Sequence, residues 1–191
     1  MNSMSRLILV KHSLPEIDPA RPAREWRLSD EGRRRCPALA KRLAEHAPEV
    51  VVASLEPKAT ETGQIVARWL GKPLETVAGL HEHERSRVGF LDADQFNAAV
   101  AALFNQPAQL VFGEETADQA HARFAGAVAG VMQRHARVNT AVIAHGTVIA
   151  LLVSRAAGLE PFALWKRLGL PSFVVLAWPD LAVRYIVDQM E

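Results

Sequence analysis

Short apolar runs alternate along the chain with segments whose apolar residues recur at helical spacing. The run Leu7–Val10 is continuously apolar, as in a strand that is buried on both faces of a sheet. Further strands are predicted at Val50–Ala53 and Thr140–Ala144, and two closing strands at Phe173–Trp178 and Val183–Val187. This alternation predicts an α/β fold, with a sheet that carries helices on its faces.

Local signals mark where the intervening helices begin and end. Ser29 is followed by Asp30 and Glu31, which is typical of a helix N-cap and first turn. Pro57 suits the first position of the next helix, where its missing N–H costs no hydrogen bond. A helix is predicted over about 94–104. Thr116-Ala-Asp-Gln119 fits a capping box that starts a long helix, and a last helix is predicted over 147–157.

Composition limits the class of protein. The 191 residues are 49% hydrophobic and 23% charged, with a formal net charge of +1. This balance favours one globular domain over 1–191 and gives no overall field to attract nucleic acid or a membrane. The sole cysteine, Cys36, excludes an internal disulfide framework and fits a reducing compartment. We therefore expect a cytoplasmic protein without nucleic-acid or membrane partners. The oligomeric state is left open.

Several residues that suit phosphate chemistry follow the predicted strands. His12 comes after Leu7–Val10 and His145 after Thr140–Ala144, and the carboxyl ends of such strands line the ligand crevice of open α/β sheets. Lys11 is next to His12. Lys58 falls in the first turn of its helix, where the backbone N–H groups and the helix dipole favour an anion. His145-Gly146-Thr147 also stands at a helix start, so the sequence predicts a phosphate pocket at one edge of the sheet.

An ordered set of motifs resembles the histidine phosphatase, or phosphoglycerate mutase-like, superfamily. Leu7-Ile-Leu-Val-Lys-His-Ser13 resembles L-x-x-V-R-H-G, and Ser54-Leu-Glu-Pro-Lys-Ala-Thr-Glu-Thr62 resembles S-x-L-x-R-A-x-x-T. The remaining matches, in chain order, are Leu28–Gly32 to L-T-x-x-G, Leu80–Glu82 to L-x-E, Gly113–Glu115 to G-E-S, and Val142–Gly146 to the second histidine motif. Each match is weak alone, but together they cover most of the chain from 7 to 153.

The resemblance implies a three-layer sandwich with a mostly parallel central sheet, and covalent catalysis through a phosphohistidine. His12 would be the nucleophile and Glu82 the acid and then the base, acting on a small phosphorylated metabolite or a phosphoprotein. His145 would stabilise the transferring phosphoryl group. The expected phosphate-binding residues are Lys11, Lys58, Gly146 and Thr147. The segment 83–112 would be a substrate-side insertion, and neither a cofactor nor a metal ion is expected.

The two basic residues of the motifs depart from the family pattern. Lys11 and Lys58 stand where the family carries arginines, so the charge is kept but the fork that grips two phosphate oxygens is lost. This favours, as an alternative to a phosphatase, a catalytically weak or inactive relative that binds phosphorylated ligands. A phosphomutase of the same family is a further alternative, although mutases of that type usually carry longer insertions before the second histidine.

The charged stretch after Leu80 allows two other interpretations. His81-x-His83 would place both rings on one face of a strand, but no third metal ligand follows at a familiar spacing. Arg85 and Arg87 could contact a second anionic group of a substrate, or they could belong to a solvated loop. The sequence does not decide between these roles for the arginines.

Overall fold

The computed structural model describes residues 5–190 and is built on a six-stranded sheet. The strands are β1 (Arg6–Lys11), β2 (Val50–Ser54), β3 (Leu74–Val77), β4 (Thr140–Ala144), β5 (Ser172–Ala177) and β6 (Val183–Val187). Their spatial order is β3-β2-β4-β1-β5-β6. The first four strands run parallel to one another, and β5 pairs antiparallel with both β1 and β6. The predicted mostly parallel sheet is confirmed.

Helices cover both faces of the sheet. They are α1 (Asp30–Ala44), α2 (Pro57–Leu70), α3 (Ala93–Asn105), α4 (Ala117–Arg134), α5 (Gly146–Ala157) and α6 (Pro161–Arg167). Successive strand residues point to opposite faces, so Ile8 and Val10 pack in one apolar core with α1 and α2, whereas Leu7 and Leu9 pack in a second core with the other helices. These two cores make the fold a three-layer sandwich, as expected.

The helix starts agree with the signals in the sequence. Ser29 caps α1 by accepting a hydrogen bond from the Gly32 amide, and Pro57 is the first residue of α2. Thr116 and Gln119 form a reciprocal capping box at the start of α4. The strand β3 and the helix α6 were not predicted, because a four-residue, half-exposed strand and a two-turn helix carry too little periodicity.

The strand order brings the candidate residues to one edge of the sheet. β2, β4 and β1 are adjacent, so the segments that follow their carboxyl ends are neighbours in space. The His12 amide donates to the Ala144 carbonyl at 3.0 Å, which holds the ends of β1 and β4 together. No helix within residues 5–190 has both the length and the apolar character needed to span a membrane.

Candidate active site

His12 is buried and held in one orientation. Its Nδ1 lies 2.7 Å from the carbonyl oxygen of Ser13. Because a carbonyl only accepts, this hydrogen bond places the proton on Nδ1 and leaves the lone pair on Nε2. Burial lowers the pKa of His12 well below its usual value, and the nearby His145 and Lys58 act in the same direction. His12 is therefore a neutral imidazole at physiological pH.

The loop after His12 is fixed against the start of α1. The Ser13 amide donates to the Thr62 hydroxyl at 3.1 Å, and the Ser13 hydroxyl donates to the Gly32 carbonyl at 2.8 Å. A Cβ atom at Gly32 would lie only 2.1 Å from the Leu14 carbonyl oxygen. Glycine at this position thus allows the backbone of the loop to approach α1 closely.

His145 meets His12 at the sheet edge. The two ring centroids are 5.2 Å apart, with an interplanar angle of 62°. The His145 Nε2 lies 2.9 Å from the Ser54 hydroxyl, and its Nδ1 is buried without a hydrogen-bond partner among residues 5–190. Burial, followed by the charge on Lys58, lowers its pKa well below the usual value. The two predicted histidines therefore face one site, although they are distant in sequence.

The two predicted lysines also reach this site, each with its ammonium held by a backbone carbonyl. Lys11 Nζ donates to the Leu168 carbonyl at 2.6 Å, and Lys58 Nζ donates to the Ala23 carbonyl at 2.7 Å. Burial lowers the pKa of Lys11 to about 8, against the opposing attraction of Glu82. Burial also lowers the pKa of Lys58.

Gly146 has a steric role beside Lys11. A Cβ atom there would lie 3.1 Å from Lys11 Cε and 3.3 Å from Lys11 Nζ. This separation is tighter than ordinary van der Waals contact, so the absence of a side chain lets the lysine pass along the start of α5. Gly146 thus gives the Lys11 ammonium its space, and its own role in phosphate binding stays a prediction.

Glu82 lies at the amino terminus of α5, with a side chain that is 12% exposed. Its carboxylate accepts hydrogen bonds from the amides of Thr147 at 3.1 Å, Val148 at 3.3 Å and His83 at 2.9 Å. Burial alone would raise the pKa of Glu82, but Arg85, His145 and these amides outweigh it and lower the pKa to about 2. Glu82 is thus a carboxylate at neutral pH.

This arrangement changes the expected role of Thr147. Its amide N–H, which the sequence suggested for phosphate, is bonded to Glu82. The Thr147 hydroxyl is buried and has no hydrogen-bond partner within the described part of the chain. The backbone amide of Thr147 is thus already used by Glu82, and binding of phosphate by this residue stays a prediction.

A cavity of about 270 Å³ is lined by Glu56, Lys58 and Glu82, but not by His12, His145 or Lys11. Of the segment 83–112, the residues that line it are 83–86, and Ala23 and Arg24 also line it. Arg85 lies 3.9 Å from the Glu82 carboxylate and stacks 5.0 Å from the centroid of the Phe96 ring. Arg87 is exposed and does not line the cavity. Of the two arginines left open by the sequence, Arg85 is the one placed at the site.

The interpretation of His81 and His83 as a metal pair finds no third ligand. His81 Nε2 lies 3.2 Å from the Glu84 carboxylate, whereas His83 Nε2 lies 2.7 Å from the Glu115 carbonyl. Over residues 5–190, no cluster of three His, Cys, Asp or Glu side chains could hold a metal ion.

Sequence reasoning missed one residue of the site, Glu56. Its carboxylate forms an ion pair with Lys58, accepts a hydrogen bond from the Glu82 amide at 2.9 Å and lies 3.7 Å from His145 Nε2. The sequence did contain a signal for this residue. Glu56 occupies the position of the leucine in the motif S-x-L-x-R-A-x-x-T, where a charged side chain is unexpected. In the sequence, Glu56 before Pro57 looked like an ordinary helix start.

Comparison with known proteins identifies the family. A model of the histidine phosphatase superfamily (branch 1) matches residues 7–181. The chain belongs to this superfamily. The match spans all the motifs described above, and no curated protein sequence matches the chain.

Solved structures of similar fold include phosphatases. Mycobacterial glucosyl-3-phosphoglycerate phosphatase is 20% identical, with 97% of this chain and 99% of that chain covered and a TM-score of 0.77. A putative alpha-ribazole-5'-P phosphatase from Escherichia coli is 17% identical over 97% of both chains, with a TM-score of 0.74. Phosphoserine phosphatase from Entamoeba histolytica is 14% identical, with 97% and 98% covered and a TM-score of 0.78. At these identities the likeness establishes a shared fold.

Proposed function

We propose that this protein is a phosphatase that hydrolyses a small phosphorylated metabolite or a phosphoprotein through a phosphohistidine on His12. The observation that carries the proposal is the meeting of two neutral imidazoles, with ring centroids 5.2 Å apart, beside the buried ammonium groups of Lys11 and Lys58. Family membership and the phosphatases of similar fold support the same reaction class.

In the first step, Nε2 of His12 attacks phosphorus and the bond from phosphorus to the ester oxygen breaks. The negative charge on the phosphoryl oxygens is stabilised by Lys11, Lys58 and His145, which surround the nucleophile. The leaving oxygen needs a proton. Glu82 is ionised in the free protein, but a bound phosphoryl anion raises the pKa of a neighbouring carboxyl group. A substrate monoanion carries a proton of its own, which Glu82 then passes to the leaving oxygen.

In the second step, a water molecule attacks phosphorus and the bond to His12 breaks. Glu82 is again a carboxylate and accepts the proton of the attacking water. Its low pKa suits this step less well than a value near neutrality, so a bound phosphoryl group is again needed to raise it. The products are inorganic phosphate and the free imidazole of His12.

The alternative of a ligand-binding relative with little turnover has one specific observation in its favour. The Glu82 carboxylate is held by three backbone amides, which stabilise its ionised form and disfavour proton donation. A phosphomutase would use the same residues but return the phosphoryl group to its product. These alternatives share the site and differ in the fate of the phosphoryl group once it is bound.

The experiment that separates a phosphatase from a binding protein compares wild type with His12→Ala and with the control His121→Ala, a histidine of α4 whose neighbouring charges are Arg155 and Asp118 rather than residues of the site. Hydrolysis of p-nitrophenyl phosphate and binding of inorganic phosphate are measured for each protein. A phosphatase gives turnover that His12→Ala abolishes and His121→Ala preserves. Phosphate binding without turnover in the wild type supports the binding protein instead.

A further inference from the structure

Glu56 is a carboxylate that turns into the site rather than capping its helix. It is the residue before α2, yet its side chain accepts no capping hydrogen bond from the backbone amides of the first turn of that helix. It is 9% exposed. One of its oxygens contacts the Lys58 ammonium, and the other accepts from the Glu82 amide at 2.9 Å. Glu56 therefore joins the phosphate-binding lysine to the loop that carries the proposed acid.

The contacts of Lys58 leave it one donor for a ligand. An ammonium group has three N–H donors. One is directed to the Ala23 carbonyl at 2.7 Å and a second to Glu56. A lysine side chain is long and flexible, so an ammonium without such contacts is a poorly positioned charge. With two of its donors bound, the third has a restricted direction.

We propose that Glu56 is a positioning residue for phosphoryl transfer: it holds the Lys58 ammonium for the phosphoryl oxygens, and the two residues act as one unit. This inference rests on the proposed function. It assigns to the pair the pre-organisation that a forked arginine supplies by its own geometry.

The electrostatic surroundings make Glu56 a support for Lys58 rather than a competitor of phosphate. Burial lowers the pKa of Lys58, and Glu56 is the foremost group that opposes this shift. The titratable and charged groups around the ammonium are Glu56, Glu82, Arg85, His12 and His145. Of these, Glu56 and Glu82 raise the pKa of Lys58. Loss of Glu56 would therefore release the ammonium and bring its deprotonation closer to neutral pH.

The test combines Glu56→Gln, Lys58→Arg and the double variant with the control Glu61→Gln. Glu61 is another ion-paired glutamate of α2, 3.0 Å from Arg33, and it does not line the cavity. Steady-state kinetics use p-nitrophenyl phosphate, and calorimetry gives the affinity for inorganic phosphate between about pH 6 and pH 10, a range that ends near the ordinary pKa of a lysine. Thermal melting checks that each variant is folded.

We expect each single variant to lose about tenfold in kcat/KM, the size of a coupling between contacting residues. Glu56→Gln also weakens phosphate binding and moves its alkaline limb to lower pH, which a purely structural ion pair would not do. In Lys58→Arg the Glu56 carboxylate binds the guanidinium and keeps it from the phosphoryl oxygens. The double variant lacks this carboxylate, so we expect it to recover activity. Glu61→Gln behaves as wild type.

The proposal is overturned if Glu56→Gln binds phosphate as tightly as wild type, or if the double variant shows the sum of both losses. If Glu56→Gln fails to fold, Lys58→Arg alone tests the proposal. Undiminished activity in that variant would exclude capture of its guanidinium by Glu56. If the proposed function is wrong, the result is different: the wild-type protein itself shows no turnover. The phosphate affinities still test Glu56 in that case.

Discussion

Replacing Lys11 by methionine should stabilise the protein while it removes phosphate binding. Lys11 has a pKa of about 8 in the folded protein, against 10.5 for a free lysine. The difference of about 2.5 units corresponds to about 3 kcal/mol by which burial of the charge lowers the free energy of unfolding. Methionine has a similar length and no charge. It leaves the Leu168 carbonyl without its donor, which costs about 1–2 kcal/mol, so a net gain of about 1–2 kcal/mol is expected at pH 7.

The change in the free energy of unfolding caused by Lys11→Met should depend on pH. Because the folded pKa of Lys11 lies below the unfolded value, the cost of the buried charge is fully present below about pH 8. The cost falls as the pH rises towards 10.5, since the folded lysine is then neutral. The advantage of Lys11→Met should therefore disappear at alkaline pH, where the neutral amine still donates to the Leu168 carbonyl.

Urea denaturation of wild type and Lys11→Met at pH 7 and near pH 10 measures both effects. Lys41→Met is the matched control, because Lys41 is exposed on α1 and its replacement should change the free energy of unfolding by less than about 0.5 kcal/mol. A Lys11→Met protein that is less stable than wild type at both pH values would overturn this expectation. It would show that the Lys11 ammonium contributes to folding as well as to phosphate binding.

Three further outcomes are expected. Glu82→Gln should lose about 100-fold or more in kcat/KM, which reports phosphoryl transfer to His12, on an alkyl phosphate but far less on p-nitrophenyl phosphate, whose leaving group needs no proton; equal losses in kcat/KM would exclude general acid catalysis. The alkaline limb of kcat/KM, to which Lys11 contributes near pH 8, should move upward in Lys11→Arg, and a pH profile that does not shift would remove Lys11 from the site. Gly32→Ala should lower the free energy of unfolding by about 3 kcal/mol or more, because the new methyl group clashes with the Leu14 carbonyl. Gly126→Ala is the control: this glycine lies in open space on α4, so alanine there should stabilise the protein slightly. Equal melting temperatures for the two variants would show that the His12 loop does not depend on the close approach at Gly32.

Much of the fold followed from residues whose signal is local. Ser29, Pro57 and the Thr116–Gln119 box marked helix starts, because capping depends on residues only three positions apart. The apolar runs of β1 and β4 marked buried strands, and the histidines that follow them were expected at one sheet edge for that reason. The strand order that makes β1 and β4 neighbours was not predicted, because these runs do not encode it.

The contacts within the site could not be predicted in the same way. Glu56 reaches Lys58 and the Glu82 amide because the backbone before α2 directs its side chain inward. Glu82 caps α5 although 65 residues separate it from Thr147. Such contacts depend on loop conformation and side-chain rotamers, which no periodicity encodes. The L-x-E motif located Glu82 but did not show what it binds, and Glu56 was missed.

The proposed mechanism depends on His12 accepting the phosphoryl group. Rapid mixing with a ³²P-labelled phosphomonoester, an alkaline quench and peptide mapping detect this step, since phosphohistidine survives alkali and is lost in acid. We expect an acid-labile label on the peptide that contains His12, formed faster than phosphate is released and absent from His12→Ala. Turnover without such a label, or a label on another residue, would rule out His12 as the nucleophile.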